Sequence, residues 1–530
     1  MSVASSNSPT SLKERERNRL LRRVDWRFLL DQPVVDRMLC LASGDLRAGC
    51  GLIASHVDDG ITGRVERYDV AVVQDPDDHT LALTFERLGT GGTLYAEWSA
   101  PTDSDDVRRS LMSAGFADAR LYWPWPAPPH AEVWVPLDTP AAFDAYLAAD
   151  RHVYSGWRHR VGTRARRVLA SWQLESGRVA PLCVVARIPN GESDGSSANA
   201  PIMHAASAAN AVANGAGHRG ARLTCALLTG GPRAISKVVG LVYADEETQP
   251  AFVVKWPRVE ESEEGLAREA DALAACHARA PVAGVPRLLA RCRSGAQLAV
   301  AETAARGAPM FTRVSQSTFG TLSRQGASWL GDFHDTHCGA APGTGGWGTR
   351  TDQAIARFTE TFGAVIDARM LEETARVVAH LGNVPTVIEH RDYGPWNILV
   401  DDAGALMVLD WESSRVDGLP LLDLIYFITY MAFFVDGAMV SRRFVESYRA
   451  TLDPHSASGV LRVELLQQYR ERFRISADAE RALRALCWIE HADSEFRHFT
   501  ADAGGRPTDD ALRASVFVQL WKEEIAALGR

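Results

Sequence analysis

VIEHRDYGPWNILVDDAGALMVLDWE, residues 387–412, contains two apolar runs separated by a turn. The runs cover 398–400 and 405–409, and the Asp-Ala-Gly turn between them is typical of a β-hairpin. A hairpin brings its two ends together. We therefore expect Asn397, just before the first strand, to lie beside Asp410, just after the second.

Asp392 precedes this hairpin by a few residues, on a loop where Gly394 and Pro395 disfavour a regular helix. The sequence thus predicts that two carboxylates and an amide meet at one open edge. That is the oxygen-rich ligand set a magnesium–nucleotide complex requires, with one carboxylate left to orient a hydroxyl group. Taken alone, the pattern also fits a surface loop in which Asp392 and Asn397 only cap turns.

The lysines upstream favour the first interpretation, because the chain contains only four of them, Lys13, Lys237, Lys255 and Lys522. Lys255 ends an apolar strand pattern, where a charge is costly unless it is paired. Glu269 follows on a predicted helix and is the natural partner. A strand lysine paired with a helix glutamate grips the α- and β-phosphates of ATP in kinases. The alternative is an accidental surface pair.

Two further segments fit a nucleotide site. Strand patterns at 223–228 and 238–243 flank a turn that holds Gly230, Gly231 and Ser236. Glycines at such a turn allow backbone amides to approach phosphates, although an ordinary hairpin turn has the same composition. Glu302 lies on a predicted strand leading to a hinge, where backbone groups of kinases receive adenine.

With these motifs in this order, residues from about 222 to the C-terminus resemble the aminoglycoside phosphotransferase and choline kinase family, which has a bilobal α+β protein-kinase-like fold. The resemblance implies ATP and Mg²⁺ as cofactors. It makes Asp392 the catalytic base, with His390 and Arg391 in the same loop. It implies that Asn397 and Asp410 ligate magnesium, that Lys255 and Glu269 hold the nucleotide, and that Asp423 supports the catalytic loop. Asp410-Trp411-Glu412 stands where protein kinases have Asp-Phe-Gly, which favours a small-molecule kinase.

The first 189 residues alternate strand and helix patterns, which predicts an α/β layer. The segments YDVAVV (68–73), LGTGGTLYAEW (88–98) and AGFADARLYW (114–123) resemble the second half of a class I S-adenosylmethionine-dependent methyltransferase. The turn at 42–45 departs from that pattern, since it holds a single glycine. Only 25 residues separate Ala42 from Tyr68. We therefore expect a shortened Rossmann-like domain that has lost cofactor binding; an active methyltransferase is the alternative.

These patterns predict four segments: a degenerate α/β domain at 1–189, a flexible linker rich in Gly, Ser, Ala and Asn at 190–221, a nucleotide-binding lobe at 222–304 and a helical lobe at 305–530. The N-terminal domain is expected to pack on the catalytic part, to form homo-oligomers, or to shape access of the substrate.

Composition narrows the functional class. The net charge of −9 argues against a general nucleic-acid binder. Eight scattered cysteines predict buried thiols in a reducing, cytoplasmic compartment and no zinc site. The longest apolar run, 424–435, is about half a membrane span and predicts a buried helix.

The resulting expectation is an ATP- and Mg-dependent phosphotransferase acting on a hydroxyl of an aminoglycoside, sugar, nucleoside or related small molecule. Two alternatives stay open: a kinase of Ser or Thr in a precursor peptide, and an inactive pseudokinase scaffold. Acidic residues of the helical lobe could meet a cationic substrate or simply form solvated helix faces; they are Glu446, Glu490, Asp493 and Glu495.

Overall fold

The computed structural model describes most of the chain outside the predicted linker. The described residues are 9–30, 34–60, 67–139, 142, 178–189, 212, 223–230, 235–244, 247–294, 297–340, 346–503 and 506–529. The predicted linker at 190–221 lies outside them except for position 212, and so does Gly231.

The N-terminal unit, here the described residues from 9 to 189, is an α/β layer, as its alternating pattern predicts. Its helices are α1 (Pro9–Arg23), α2 (Gly44–Cys50), α3 (Asp78–Arg87) and α4 (Ser104–Ala114). Its strands are β1 (Val35–Leu41), β2 (Ala54–Asp58), β3 (Tyr68–Gln74), β4 (Leu88–Trp98), β5 (Thr102–Asp103), β6 (Ala117–Trp125), β7 (Val133–Pro136), β8 (Arg178–Val179) and β9 (Leu182–Arg187).

The sheet of this unit is parallel at one end and antiparallel at the other. Strand β1 pairs in parallel with β2 and β3, and β3 pairs in parallel with β4. Strand β9 then lies antiparallel between β4 and β6. Helices α3 and α4 pack on one face through Leu81, Val107 and Leu111, while α2 and the segment 24–30 after α1 cover the other face. The likeness to a methyltransferase stays a prediction.

Local signals set the helix limits in this unit. Helix α4 begins after Asp103, whose side chain accepts a hydrogen bond from the backbone of Asp105, and ends at Gly115 with φ of 101°. A left-handed residue at this position satisfies the last carbonyls of a helix and favours glycine. Helix α1 ends at Arg23, and a 3₁₀ turn over Asp25–Leu29 follows.

The β lobe follows the predicted linker. Its strands are β10 (Leu223–Leu228), β11 (Val238–Ala244), β12 (Phe252–Trp256), β13 (Leu288–Ser294) and β14 (Gln297–Thr303), with helix α5 (Glu263–Cys276) between β12 and β13. The two predicted strands are present, since β10 and β11 pair antiparallel with Leu228 opposite Val239; residues 231–234 of the turn between them lie outside the described residues. Lys255 sits on β12, which lies between β11 and β14.

The β lobe and the N-terminal unit share one sheet. Strand β7 pairs antiparallel with β10, with Trp134 opposite Leu227 and Val133 opposite Leu228. The result is a sheet of 12 described strands in the order β13-β14-β12-β11-β10-β7-β6-β9-β4-β3-β1-β2. The two segments that the sequence separates at 189 and 222 are therefore joined through backbone hydrogen bonds.

The helical lobe carries the predicted hairpin on a base of helices. Strands β17 (Ile398–Val400) and β18 (Leu406–Val408) form the predicted hairpin, flanked by β15 (Ala308–Pro309), while β16 (Val387–Glu389) pairs with β19 (Arg415–Gly418). The helices are α6 (Phe319–His337), α7 (Gly346–Phe362), α8 (Ala368–Val378), α9 (Leu422–Val435), α10 (Ala438–Ser441), α11 (Phe444–Leu452), α12 (Ala457–Arg472), α13 (Ala477–Ala503), α14 (Asp509–Arg513) and α15 (Val516–Leu528).

Helix α9 is the apolar run predicted as a buried helix, and nearly its whole length is buried in the largest hydrophobic cluster. Within the described residues, no helix has the length and apolar character needed to cross a bilayer. Helices α7 and α8 are separate because Asp367 caps the start of α8, where its side chain accepts a hydrogen bond from the backbone N–H of Arg369.

A buried ion triad fastens the N-terminal unit to the β lobe. Arg258, directly after β12, and Asp25 have side chains that are 0% and 1% exposed, and their Nη2 and Oδ2 atoms lie 3.1 Å apart. Arg27 donates to the backbone oxygen of Arg258 at 2.7 Å and lies 3.4 Å from Asp25 Oδ1. Two guanidinium groups therefore share one carboxylate in the interior.

Replacing Asp25 by alanine leaves both guanidinium groups buried without their shared carboxylate, so we expect the free energy of unfolding to fall by about 3–5 kcal/mol. The control is Glu261→Ala, which removes the exposed partner of Arg17 at 3.9 Å and should cost less than about 1 kcal/mol. Urea titrations followed by tryptophan fluorescence measure both losses. Equal losses would contradict the role of the triad.

Candidate active site

Glu269 of α5 is the centre of an ion cluster at the edge of the β lobe. Its buried carboxylate receives Lys255 Nζ on Oε1 and Lys237 Nζ on Oε2, each at 2.7 Å. The backbone N–H of Trp411 also donates to Oε1, at 3.2 Å. Burial alone would raise the pKa of Glu269, but the two ammonium groups lower it to about 2. Glu269 is therefore ionised across the physiological pH range.

Lys255 has a second carboxylate partner, Glu302 of β14, with Nζ to Oε1 at 2.6 Å. The two strands are hydrogen-bonded neighbours, with Lys255 opposite Val300 and Val253 opposite Glu302. Burial raises the pKa of Glu302, and Lys255 opposes that rise. Glu302 is predicted to lie on a strand that leads to the hinge; its side chain contacts Lys255, and its role in binding the nucleotide stays a prediction.

Lys237 is a second cation at this site, which the sequence analysis did not assign. Besides Glu269 it contacts Asp410, with Nζ to Oδ1 at 2.7 Å, and Glu412, with Nζ to Oε2 at 3.1 Å. Its side chain is only 14% exposed. Although burial opposes charge on this amine, Asp410 and Glu269 raise the pKa of Lys237 well above its ordinary value. The positive charge of Lys237 therefore lies against Asp410, the carboxylate predicted to bind metal.

The predicted glycine turn begins against the N-terminal unit. The backbone N–H of Thr229 donates to the oxygen of Glu132 at 2.9 Å, and a Cβ added at Gly230 would meet Glu132 at 3.8 Å. Ser236 directly precedes Lys237 at the other end of the turn. Roles for Gly230, Gly231 and Ser236 in binding phosphate stay predictions.

Asp423, the second residue of α9, holds the catalytic loop. Its Oδ2 accepts the backbone N–H of His390 and its Oδ1 accepts that of Arg391, both at 2.7 Å. Arg391 has a φ of 67°, a left-handed conformation that non-glycine residues rarely adopt without such support. The His390 ring lies 2.9 Å from the oxygen of Leu409, and burial lowers the pKa of this ring to about 4. The neutral ring of His390 thus connects the loop that carries Asp392 to the end of the hairpin.

Asp392 has a carboxylate in a pocket of hydrogen-bond donors. Asn397 Nδ2 donates to Oδ2 at 2.9 Å, and Tyr426 Oη donates to Oδ1 at 3.2 Å. Trp396 Nε1 lies 3.5 Å from Oδ2. Burial, followed by the charge of Asp410, raises the pKa of Asp392 to about 7, despite the donors. A carboxyl group poised near neutrality is suited to take up a proton.

Asn397 and Asp410 offer oxygen ligands for a divalent cation. Because Asn397 Nδ2 donates to Asp392, its amide oxygen is left as an acceptor. The hairpin ends meet as predicted, since Leu409 N–H donates to the Asn397 oxygen at 2.8 Å. No three His, Cys, Asp or Glu side chains group as a metal site in the part of the chain that the structure describes. The two residues fit magnesium, which takes one or two protein ligands and completes its shell with phosphates and water.

Three residues of the site were not predicted from the sequence: Lys237, Trp396 and Tyr426. Lys237 carried a signal, because it is one of only four lysines in the chain. Trp396 lies inside the recognised motif, and Tyr426 is one of the few polar groups in an apolar run. Nothing in either pattern indicates a contact with Asp392.

Comparison with known families identifies the segment that carries this site. Residues 234–459 match the model of a family described as the phosphotransferase enzyme family. The matched segment contains Lys237, Lys255, Asp392, Asn397 and Asp410. This part of the chain is therefore a phosphotransferase-family domain. A search of curated proteins returned no match.

Solved structures similar to the chain include three aminoglycoside phosphotransferase structures. One is APH(3'')-Id from Streptomyces rimosus, with 15% identity, a TM-score of 0.32 and coverage of 53% of this chain and 96% of that chain. Another is APH(2")-IIa with gentamicin, with 12% identity, a TM-score of 0.32 and coverage of 57% and 92%. The third is APH(2")-IIa with streptomycin and ATP, with 12% identity, a TM-score of 0.30 and coverage of 56% and 93%.

Replacing Lys237 by methionine keeps the length of the side chain and removes its charge from three carboxylates. We expect the free energy of unfolding to fall by about 3 kcal/mol and Mg²⁺ to restore part of the loss, because a divalent cation supplies the missing charge. The control is Lys522→Met on α15, expected to change stability by less than about 0.5 kcal/mol. Thermal unfolding with and without Mg²⁺ measures both; similar losses, or no response to Mg²⁺, would contradict the role of Lys237.

Proposed function

We propose that this protein is an ATP- and Mg-dependent phosphotransferase that moves the γ-phosphoryl group of ATP to a hydroxyl of a small molecule. The observation that carries the proposal is the juxtaposition of Lys255, Asp410 and Asp392 around Glu269 and Asn397. Hydrogen bonds and ion pairs between separate segments of the chain hold these side chains in place. The family match at 234–459 supports the reaction class.

In the proposed reaction the acceptor hydroxyl donates a hydrogen bond to Asp392. A bond forms between the acceptor oxygen and the γ-phosphorus, the bond from that phosphorus to the bridging oxygen of ADP breaks, and Asp392 takes the hydroxyl proton. Such transfers pass through a loose transition state, so alignment and charge neutralisation provide most of the catalysis. Lys255 and Lys237 supply positive charge beside the phosphates. Magnesium, when held by Asn397 and Asp410, neutralises phosphate oxygens.

We propose that the N-terminal unit is a methyltransferase-like domain that no longer binds a cofactor and that supports the β lobe structurally. Ligands of open α/β sheets bind beyond the carboxyl ends of the strands. Here the carboxyl end of β4 is occupied, because Arg23 Nη1 donates to Glu97 Oε1 at 2.6 Å and Trp26 stacks on Tyr95 at 4.0 Å. These side chains belong to α1 and the turn after it, the segment that also supplies Asp25 to the β lobe.

We also propose a cytoplasmic location, supported by the state of the cysteines. All eight are free thiols, and six of them are buried. Cysteines that form no disulfide bond are typical of a reducing compartment.

The central test is Asp392→Ala. It removes the proposed base but leaves Lys255, Asn397 and Asp410, so phosphoryl transfer should fall by about 10²–10⁴-fold while ATP still binds. Product formation over a panel of amino sugars, sugars and nucleosides, with calorimetry of ATP binding, measures the two effects. The control is Asp402→Ala on the exposed hairpin turn, which should leave both unchanged. Persistent turnover by Asp392→Ala would refute the proposal.

The pKa of Asp392 also predicts a pH profile. Burial and Asp410 raise this pKa to about 7, so the group is protonated, and unable to accept a proton, below that pH. We expect kcat/KM to rise as pH increases through about 7 and then to level off. Bound magnesium offsets the charge of Asp410, so the midpoint of kcat should lie at a lower pH. Steady-state rates across this range test both statements, and a flat kcat/KM profile through pH 7 would contradict the assignment.

A further inference from the structure

A group of aromatic side chains flanks the proposed base on one side. It is here called the aromatic wall and comes from the catalytic loop and three helices that are far apart in sequence. Its members are Trp396 after the catalytic aspartate, Tyr426, Tyr430 and Phe434 on α9, His491 on α13 and Phe517 on α15.

The aromatic wall is in contact with Asp392, the proposed base. Tyr426 Oη donates to Asp392 Oδ1 at 3.2 Å, and Trp396 Nε1 lies 3.5 Å from Oδ2. Two of the wall residues thus contact the carboxylate that the acceptor hydroxyl has to reach. Any acceptor bound to Asp392 therefore lies beside these rings.

The rings are in contact with one another and still partly open to solvent. Ring centroids of Trp396 and Tyr430 are 4.8 Å apart, and Tyr426 stacks on His491 at 4.1 Å with an angle of 14° between the planes. Phe517 stacks on His491 at 5.3 Å. Tyr426 is buried, with 5% exposure, whereas the other five members are only half-buried. Each of these five rings therefore still presents part of its surface to solvent.

The charges beside the wall are already neutralised or paired. Burial, with a smaller effect of Arg391, lowers the pKa of His491 to about 3, so its ring is neutral at physiological pH. Glu490 pairs with Arg391 at 3.1 Å, and Asp493 pairs with Arg497 at 3.3 Å.

The two remaining acidic candidates from the sequence also have partners. Ser515 Oγ donates to Glu495. Glu446 is exposed and pairs with Arg443 at 3.4 Å. Each of the four carboxylates that the sequence offered to a cationic substrate is therefore engaged by a side chain of the protein.

From this combination we infer that the acceptor is an uncharged alcohol that carries an aromatic ring close to the hydroxyl it presents to Asp392. Partly open rings stack on a flat apolar surface, and polar groups at one end fix its orientation. A polycation that bound Glu490 would have to displace Arg391, whose side chain is only 15% exposed, and would leave that guanidinium group without this partner. The inference rests on the proposed phosphotransfer and names its substrate class.

The test uses a matched pair of probes, phenyl glucoside and methyl glucoside, with neomycin as the polycation and choline as a single quaternary ammonium alcohol. With ATP and Mg²⁺, kcat/KM for the phenyl compound should exceed that for the methyl compound by about tenfold, the effect of one stacked ring. Tyr430→Leu and Phe517→Leu should reduce this ratio to about twofold or less, because each removes one ring of the wall. Phe85→Leu, a half-buried ring paired with Phe116 in the N-terminal unit, is the control and should keep the ratio.

Saturation-transfer NMR of the same probes gives a second measurement that does not require turnover. Transfer to the phenyl group in the wild type that weakens in Tyr430→Leu supports the inference. Preference for neomycin or choline, or an aryl preference that both variants retain, overturns it, as does no binding of the phenyl probe. If Asp392→Ala retains turnover or the protein binds no ATP, the proposed function fails, and the acceptor inference fails with it.

Discussion

One buried carboxylate, Glu269, holds the site together by binding two ammonium groups at once. Lys237 precedes β11, Lys255 lies on β12, and the Trp411 backbone belongs to the segment after the hairpin. A lysine on a central apolar strand is tolerable only with such a partner, because an unpaired charge in the interior is very costly. The same ion cluster therefore makes the sheet stable and aligns the groups that would face a triphosphate.

The strand that carries Lys255 is fixed from both sides. Within the described sheet, β12 lies between β11 and β14, and the sheet continues through β7 into the N-terminal unit. Three residues beyond Lys255, Arg258 enters the buried triad with Asp25 and Arg27. The N-terminal unit thus supports the lysine through both backbone pairing and charge.

The helical lobe holds the buried carboxyl group of Asp392, the proposed base, among hydrogen-bond donors. Asp423 anchors the backbone of His390 and Arg391, so the loop tolerates a left-handed residue next to Asp392. The donors around Asp392 stabilise its ionised form, while burial and Asp410 oppose ionisation. The balance leaves the pKa of Asp392 at about 7. The donors Trp396 and Tyr426 also belong to the aromatic wall, so the same side chains contact the proposed base and form part of the proposed acceptor surface.

The sequence by itself determined the elements that local patterns encode. The hairpin, the strand with Lys255 and the helix with Glu269 follow from apolar periodicity and turn residues over short windows. The order of these motifs also predicted which polar groups would meet. Tertiary structure alone decided the contacts between distant segments. Lys237 and Asp410 are separated by 173 positions, and Asp25 and Arg258 by 233. A surface ion pair and a buried one look alike in sequence, because burial depends on the elements that pack around them. For the same reason, only the folded chain shows that two predicted domains share a sheet and that rings from four segments form one wall beside Asp392.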